Sequence, residues 1–424
     1  MTEHKPLALR VGGFFDEREI TISLPGDWKV MECRMAGHDI PALSMDDLRR
    51  ALRQPIESPR LSELARGARQ VCILIDDLTR PTPADRIAPL VLEELHEGGV
   101  RDECIRFLCA LGAHRPMTYP ELAAKLGSSI VEMYPVYPHS IWENLVHLGE
   151  TSHGTPVVLN REFVACDLRI GIGCIFPHSD AVSSGGAKIV MPGIAGIDSI
   201  IYHHQHHRHQ RGDHGIVQVK HAGTGNAEDS DFRLDVEEAT RIAGLQFKVD
   251  VVLNTRREVA GMFCGDFVAE HRHGMAMGRE VYRTLPARDA DVVLANLYPA
   301  EVGIGRCSTH VEASLRKGGD IVLVSHAWDG LCLHQIGSRF GSDFGGRLFK
   351  ADLIHAGFAK ADRVYLLAPH LSRYDALEIA PQGKLMWFKE WGDLLAELGS
   401  RHGPGTRVAV YPYAPMQVIP PNLP

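Results

Sequence analysis

The feature that most limits how this chain can fold is its alternation of short β-branched apolar runs with helical patterns. The strand-like runs are ALRV (8–11), ITISL (20–24), VCILID (71–76), CIRFLCAL (104–111), LRIGIGCI (168–175), DVVLNT (250–255), DVVLAN (291–296), DIVLVS (320–325), RVYLLA (363–368) and RVAVYP (407–412). Between several of them lie helix-like segments: ADRIAPLVLEELHEGG (84–99), THVEASLRKGG (309–319) and WGDLLAELGSRHG (391–403). Glycine after such a segment is a common helix stop. Strand–helix alternation predicts an α/β fold, with largely parallel sheets and covering helices.

A chain of 424 residues exceeds what one core usually serves. Two α/β domains are expected, one over 1–275 and one over 285–408, with an active site in the cleft between them. The boundary falls in the polar, helical EHRHGMAMGREVYRTLPARDADVV, and the proline-rich tail 409–424 is expected to return to the first domain. No internal repeat is visible. A net charge of −8 offers no basic field for nucleic acid or anionic membrane. The N-terminal MTEHKPLALR lacks the apolar core of a signal peptide, and no apolar run approaches the roughly 20 residues that span a bilayer. The nine cysteines form no C-x-x-C pair, and several sit in apolar strand-like runs. These features predict a reduced, cytoplasmic protein without a disulfide framework or structural zinc.

Four polar clusters interrupt this pattern. IDDLTRPTPAD (75–85) follows a buried-type strand, and α/β sheets bind ligands beyond the carboxyl ends of their strands. Asp76, Asp77, Thr79 and Arg80 therefore stand where a site would form, although a polar turn with Asp as a helix cap explains them equally. ALGAHRPMT (110–118) places His114 in another strand-end loop, catalytic or merely exposed. The third cluster, PHSDAVSSGGAKIVMPG (177–193), joins His178, the Ser184-Gly185-Gly186 turn and Lys188. Its chemistry suits a phosphate or another close ligand, but it is not the Walker pattern, and no dinucleotide fingerprint occurs. The fourth, HHQHHRHQRGDHG (203–215), holds six histidines and reads as a solvated, metal-sticky surface loop.

An arginine and two histidines on strand-end loops, with a Gly-Gly-x-Lys, suit inversion at a carbon beside a carboxylate. Each histidine would be an acid or base on one face, and the arginine would hold the acid. Two other readings stand beside it. One is a nicotinamide-dependent 2-hydroxy acid dehydrogenase, weakened by the missing fingerprint; the other is a non-enzymatic, histidine-rich nickel-binding protein.

Taken together, DDLTRPTP (76–83), GAHRP (112–116), PH (177–178), SGGAK (184–188), PG (192–193) and His204 resemble the lactate racemase family, whose members use a nickel-pincer nucleotide. The resemblance covers most of the first domain, in order and with compatible spacing. It implies an isomerase that racemises or epimerises a 2-hydroxy acid at C2, with the pincer nucleotide joined to Lys188 and nickel held by His204. It also implies His114 and His178 as acid and base, Asp77 orienting His114, and Arg80 on the substrate carboxylate. Thr79, Ser184, Gly185 and Gly186 would adjoin the cofactor. The cofactor-building enzymes would be partners.

The chain departs from the family in two places. The family often reads AG-aromatic-SGG where this chain has AVSSGG, with Val182 and Ser183 in the turn. Lactate racemases also carry a Gln and a Lys on a second-domain loop, whereas YPAEVGIGRCSTH (298–310) has no lysine and offers Arg306 or His310 instead. A substrate larger or more polar than lactate, such as a sugar acid, is therefore expected.

Overall fold

The structure, a computed structural model, describes residues 4–178, 181–210, 227–301, 311, 313–328, 330, 358–377 and 383–420. It is α/β and built on two six-stranded sheets. The chain opens with an antiparallel hairpin, β1 (His4–Val11) and β2 (Arg18–Pro25), followed by a short strand, β3 (Lys29–Glu32). The first sheet comprises β4 (Val71–Asp76), β5 (Ile105–Ala110), β6 (Val136–Pro138), β9 (Leu168–Cys174), β10 (Phe247–Leu253) and β11 (Val259–Gly265). A separate antiparallel pair, β7 (Leu145–Glu150) and β8 (Pro156–Asn160), lies beside it. The second sheet contains β3 together with β12 (Ala290–Asn296), β13 (Leu315–Val324), β14 (Arg363–Leu367), β15 (Leu385–Phe388) and β16 (Arg407–Tyr411). Each of the ten runs singled out in the sequence lies on one of these strands, give or take one or two end residues.

The first sheet runs β11-β10-β9-β4-β5-β6, all parallel except the β10–β11 pair. Val71–Asp76 is buried along its whole length because both faces are covered. Val71, Ile73 and Ile75 face a core that includes Ile87, Val91 and Leu95 of α1 (Ala84–Glu97). Cys72 and Leu74 face a second core, with Phe232 and Val236 of α3 (Asp231–Ala243). Each such apolar side chain contributes roughly 1.5–3 kcal/mol on burial. The strand order places β5 on one side of β4 and β9 on the other. A ligand crevice is expected at that reversal, beyond the carboxyl ends.

The second sheet is wholly parallel, in the order β15-β14-β13-β12-β16-β3. One face is covered by Leu9, Val11, Ile22 and Leu24 of the N-terminal hairpin and by Leu394 and Leu398 of α5 (Trp391–Arg401). Residues 4–32 thus pack on the sheet whose other strands come from the C-terminal third of the chain. The chain crosses back at its other end, where Met416 and Val418 join the core around β4. There Val418 exchanges backbone hydrogen bonds with Tyr282 and Thr284, at the end of α4 (Ala269–Tyr282).

One expected helix is corrected. Within 309–319, residues 315–319 belong to β13, and only 311, 313 and 314 are helical among those described. Leu315 pairs with Ala290, and an irregularity between Leu315 and Asp320, a stretch in which Gly318 has φ +74°, lets Asp320 resume the pairing at Val292. Sheet pairing overrides the local helical pattern. Among the described residues no helix is long and apolar enough to cross a membrane.

Candidate active site

Three loops leave the carboxyl ends of β4, β5 and β9 and meet around a cavity of about 750 Å³. In the first loop, the Asp77 carboxylate is almost wholly buried and fully bonded. Oδ2 accepts from His114 Nδ1 at 2.6 Å, and Oδ1 accepts from the Thr79 amide at 3.0 Å and the Thr79 hydroxyl at 2.5 Å. Burial alone would raise its pKa, but the His114 imidazole and the hydrogen bonds from His114 and Thr79 hold it far below the usual carboxylate range. Asp77 therefore holds the His114 ring through Nδ1 and favours the tautomer protonated there. Arg80 Nη1 donates to Thr79 Oγ1 at 2.9 Å, which aligns the guanidinium along the same loop.

The loop is held from below by Lys125, a fully buried residue that sequence reasoning missed. Its Nζ lies 2.6 Å from Asp76 Oδ1 and donates to the carbonyls of Asp77 (3.0 Å) and Arg80 (2.9 Å). Asp76 also accepts from Thr82 Oγ1 at 2.5 Å. Nothing local marks Lys125, which reads as one more polar residue of an amphipathic helix.

The loop after β9 carries the glycine turn. Ser184 Oγ donates to the Cys174 carbonyl at 2.7 Å and pins the turn to the strand end. Gly185 and Gly186 have φ of +83° and +54°. A Cβ at Gly185 would lie 2.5 Å from Asp250 Oδ2, and one at Gly186 would collide with Arg233. The Gly186 amide donates to Asp250, Arg233 donates to the Gly185 carbonyl at 3.0 Å, and His271 Nε2 donates to the Ser184 carbonyl at 3.0 Å. Asp250 is ion-paired with Lys248, and both are fully buried. The glycines thus answer to a buried polar network as well as to the cavity. Lys248 itself lines the cavity, a second residue missed because it sits in mid-strand on β10.

Residues 203–210 of the histidine run lie on a helix, α2 (Ile197–Gln210), rather than in a solvated loop, and 211–215 lie outside the described residues. This corrects the surface reading for two of its members. His203 and His207, four residues apart and hence on one face, are buried against α3. His207 Nε2 lies 2.8 Å from Asp235 Oδ2, and His203 Nε2 lies 3.7 Å from the same oxygen. Their ligand atoms and an Asp235 oxygen lie within 4.8 Å of one another, near enough to hold a metal ion. Burial drives His203 down to about 3. One residue on, about 100° around the helix, His204 lines the cavity instead, with Nδ1 donating to the Ile200 carbonyl at 2.9 Å. The Phe232 ring bridges the two faces, its centroid 5.3 Å from Lys188 Nζ and 5.4 Å from the His204 ring.

Asp77, Thr79, Arg80 and His114, together with His178, Ser184, Gly185, Lys188 and His204, all line this one cavity. Gly186 lies behind it. Arg306, His310 and His214 are outside the described residues.

A family model for the lactate racemase N-terminal domain matches residues 15–215. The lactate racemase of Lactiplantibacillus plantarum is 33% identical over 296 residues, covering 67% of this chain and 66% of that protein. The chain belongs to the lactate racemase family. Another family member, the lactate racemase of Thermoanaerobacterium thermosaccharolyticum, is 29% identical over 308 residues, 71% of this chain and 70% of that protein. The matches thus span about two thirds of these relatives' lengths. In fold, the chain is similar to the lactate racemase apoprotein from Thermoanaerobacterium thermosaccharolyticum, with a TM-score of 0.72 at 23% identity over 98% of this chain and 100% of that one. A protein from Thermotoga maritima shares the fold with a TM-score of 0.65 at 16% identity, over 89% and 99% of the two chains.

Proposed function

We propose that this lactate racemase family member inverts C2 of a 2-hydroxy acid, using a nickel-pincer nucleotide joined to Lys188. The observation that carries the reading is the opening of Lys188, His204, His114, His178 and Arg80 onto one cavity. The cavity fits the group by its donors, offering an amine for a covalent link and a neighbouring imidazole for the metal. When bound, the nucleotide supplies a carbon that takes up and returns hydride.

The chain's own residues do the rest. Arg80 holds the substrate carboxylate by paired hydrogen bonds. His114, aligned by Asp77, takes the hydroxyl proton through Nε2 for one enantiomer, and His178 returns a proton on the other face. For the opposite enantiomer their roles exchange. His204 would hold the metal through Nε2, since Nδ1 bonds the Ile200 carbonyl.

Two experiments test this. Intact-mass analysis of the chain co-produced with cofactor-building enzymes should show a covalent adduct, mapped to the peptide around Lys188 and absent from Lys188→Ala. Full activity of cofactor-free Lys188→Ala would sink the reading. His114→Ala and His178→Ala should each lower racemisation at least about 100-fold while nickel content stays at the wild-type level. Normal turnover in either variant removes that histidine from the mechanism.

A further inference from the structure

A second cavity, of about 590 Å³, adjoins the first and shares Asp77 and Thr79 with it. Its outer wall comes from the second sheet. Phe14 and Phe15 lie in the β1–β2 turn, Glu301 follows β12, and His326 and Trp328 follow β13. Met117 closes it from the loop after β5. The carboxyl ends of both sheets therefore face one continuous cleft, with chemistry-bearing residues on one side and aromatic rings on the other.

The polar groups of this cavity are unequal. Glu301 is occupied, its carboxylate accepting from the amides of Gly12 (3.1 Å) and His326 (3.0 Å). Arg115 is paired with Glu121, its Nη1 lying 3.0 Å from Oε2. His326 differs. It is 8% exposed, and neither ring nitrogen has a hydrogen-bond partner among the described residues. Burial pushes its pKa down to about 4, so at neutral pH the ring is uncharged and offers one donor and one acceptor. A hydroxyl group can meet one of these needs at a time, accepting from the ring N–H or donating to the bare nitrogen. Beside it Trp328 is 56% exposed, with the Phe15 ring 6.3 Å and the His370 ring 5.5 Å from its own. An exposed tryptophan flanked by a phenylalanine forms a seat for a flat ring.

We propose that the substrate is a 2-hydroxy acid with an aromatic side chain carrying a hydroxyl, the ring seated against Phe15 and Trp328 and its hydroxyl bonded to His326. This rests on the reaction proposed above and specifies its substrate. Lactate, with a single methyl, leaves the second cavity unfilled. A sugar acid brings several hydroxyls against a wall whose buried unpartnered ring nitrogens, among the described residues, are those of His326, and each hydroxyl left unpaired costs about 1–3 kcal/mol. The aromatic wall thus supports the larger substrate expected from the sequence and opposes the more polar one.

The test uses the cofactor-loaded chain and chiral chromatography of four acids: lactate, 3-phenyllactate, 3-(4-hydroxyphenyl)lactate and gluconate. The expected kcat/KM for the hydroxyphenyl acid exceeds that for lactate by at least about tenfold. His326→Ala should lower it about fivefold more for the hydroxyphenyl acid than for phenyllactate, the worth of about one hydrogen bond. Trp328→Ala should weaken both aromatic acids more than lactate. Preference of the wild type for lactate or gluconate overturns the proposal. Equal losses on all four acids, or loss of the cofactor mass in either variant, overturn it as well. A second measurement separates this pocket from the reaction. 3-(4-Hydroxyphenyl)propionate has no hydroxyl at C2 and cannot be racemised, so calorimetry reads its binding alone. Binding to the wild type that weakens in His326→Ala, with no acid racemised, leaves the pocket standing and removes the reaction. Racemisation of lactate without such binding does the reverse.

Discussion

Asp77 shows how much of this site depends on single atoms. Its two oxygens fix both the His114 ring and the Thr79 backbone, so the carboxylate sets a tautomer and a loop shape together. Asp77→Asn keeps the size but places an amide where an acceptor is needed. Turnover of the loaded enzyme should fall about 100-fold with nickel content unchanged, as read by initial rates and metal analysis. Unchanged turnover would mean that His114 needs no orientation. Gly186 makes a different point, since a side chain there meets Arg233 at φ +54°. Gly186→Ala should cost on the order of 2 kcal/mol, measured as a lowered urea midpoint. The Gly-Gly pair was legible in the sequence, but its cause was not: Arg233 and Asp250 lie 47 and 64 residues away from Gly186.

On the scale of elements, α2 sorts its histidines by helical geometry alone. His203 and His207 turn toward α3, and His204 toward the cavity, so the same local composition yields buried network and site wall within five residues. Asp235 anchors this arrangement, accepting from His207, Thr151 and Thr155. Burial opposes its charge, yet the bonds from His207, Thr151 and Thr155 hold its pKa at about 2. A carboxylate held below its unfolded value of about 3.9 adds stability that is present above that value and lost as pH falls toward 2. Asp235→Asn should therefore lose roughly 2 kcal/mol at pH 7. Its urea midpoint should also fall less steeply than the wild type's between pH 4 and 2. An equal slope would show that Asp235 is not coupled to folding.

For the molecule as a whole, Glu301 ties the N-terminal hairpin to the loops after β12 and β13 through the amides of Gly12 and His326. Burial outweighs these bonds and raises its pKa to about 7. A carboxyl raised above its unfolded value of about 4.3 contributes stability that is complete below that value and lost as pH rises through about 7. Stability should thus decline between pH 5 and 8 by up to about 3 kcal/mol from this group, and Glu301→Gln should flatten the decline. Denaturant titrations at both pH values check it, and an identical decline in the variant would dismiss Glu301 as the source.

By itself the sequence determined ten of the sixteen described strands, the α/β class, and the loops at strand ends where Arg80, His114, His178 and Lys188 stand, because buried runs and glycine turns are written in neighbouring residues. The tertiary structure alone decided what those local patterns meet. It paired Val30 with Val408, drew Leu315 into β13, and set Lys125 and Lys248 beneath the site. It also separated His204 from His203 and brought His326 and Trp328 over Asp77. Contacts between residues hundreds of positions apart leave no periodic trace in either segment, so the packing of the two sheets was needed to reveal them.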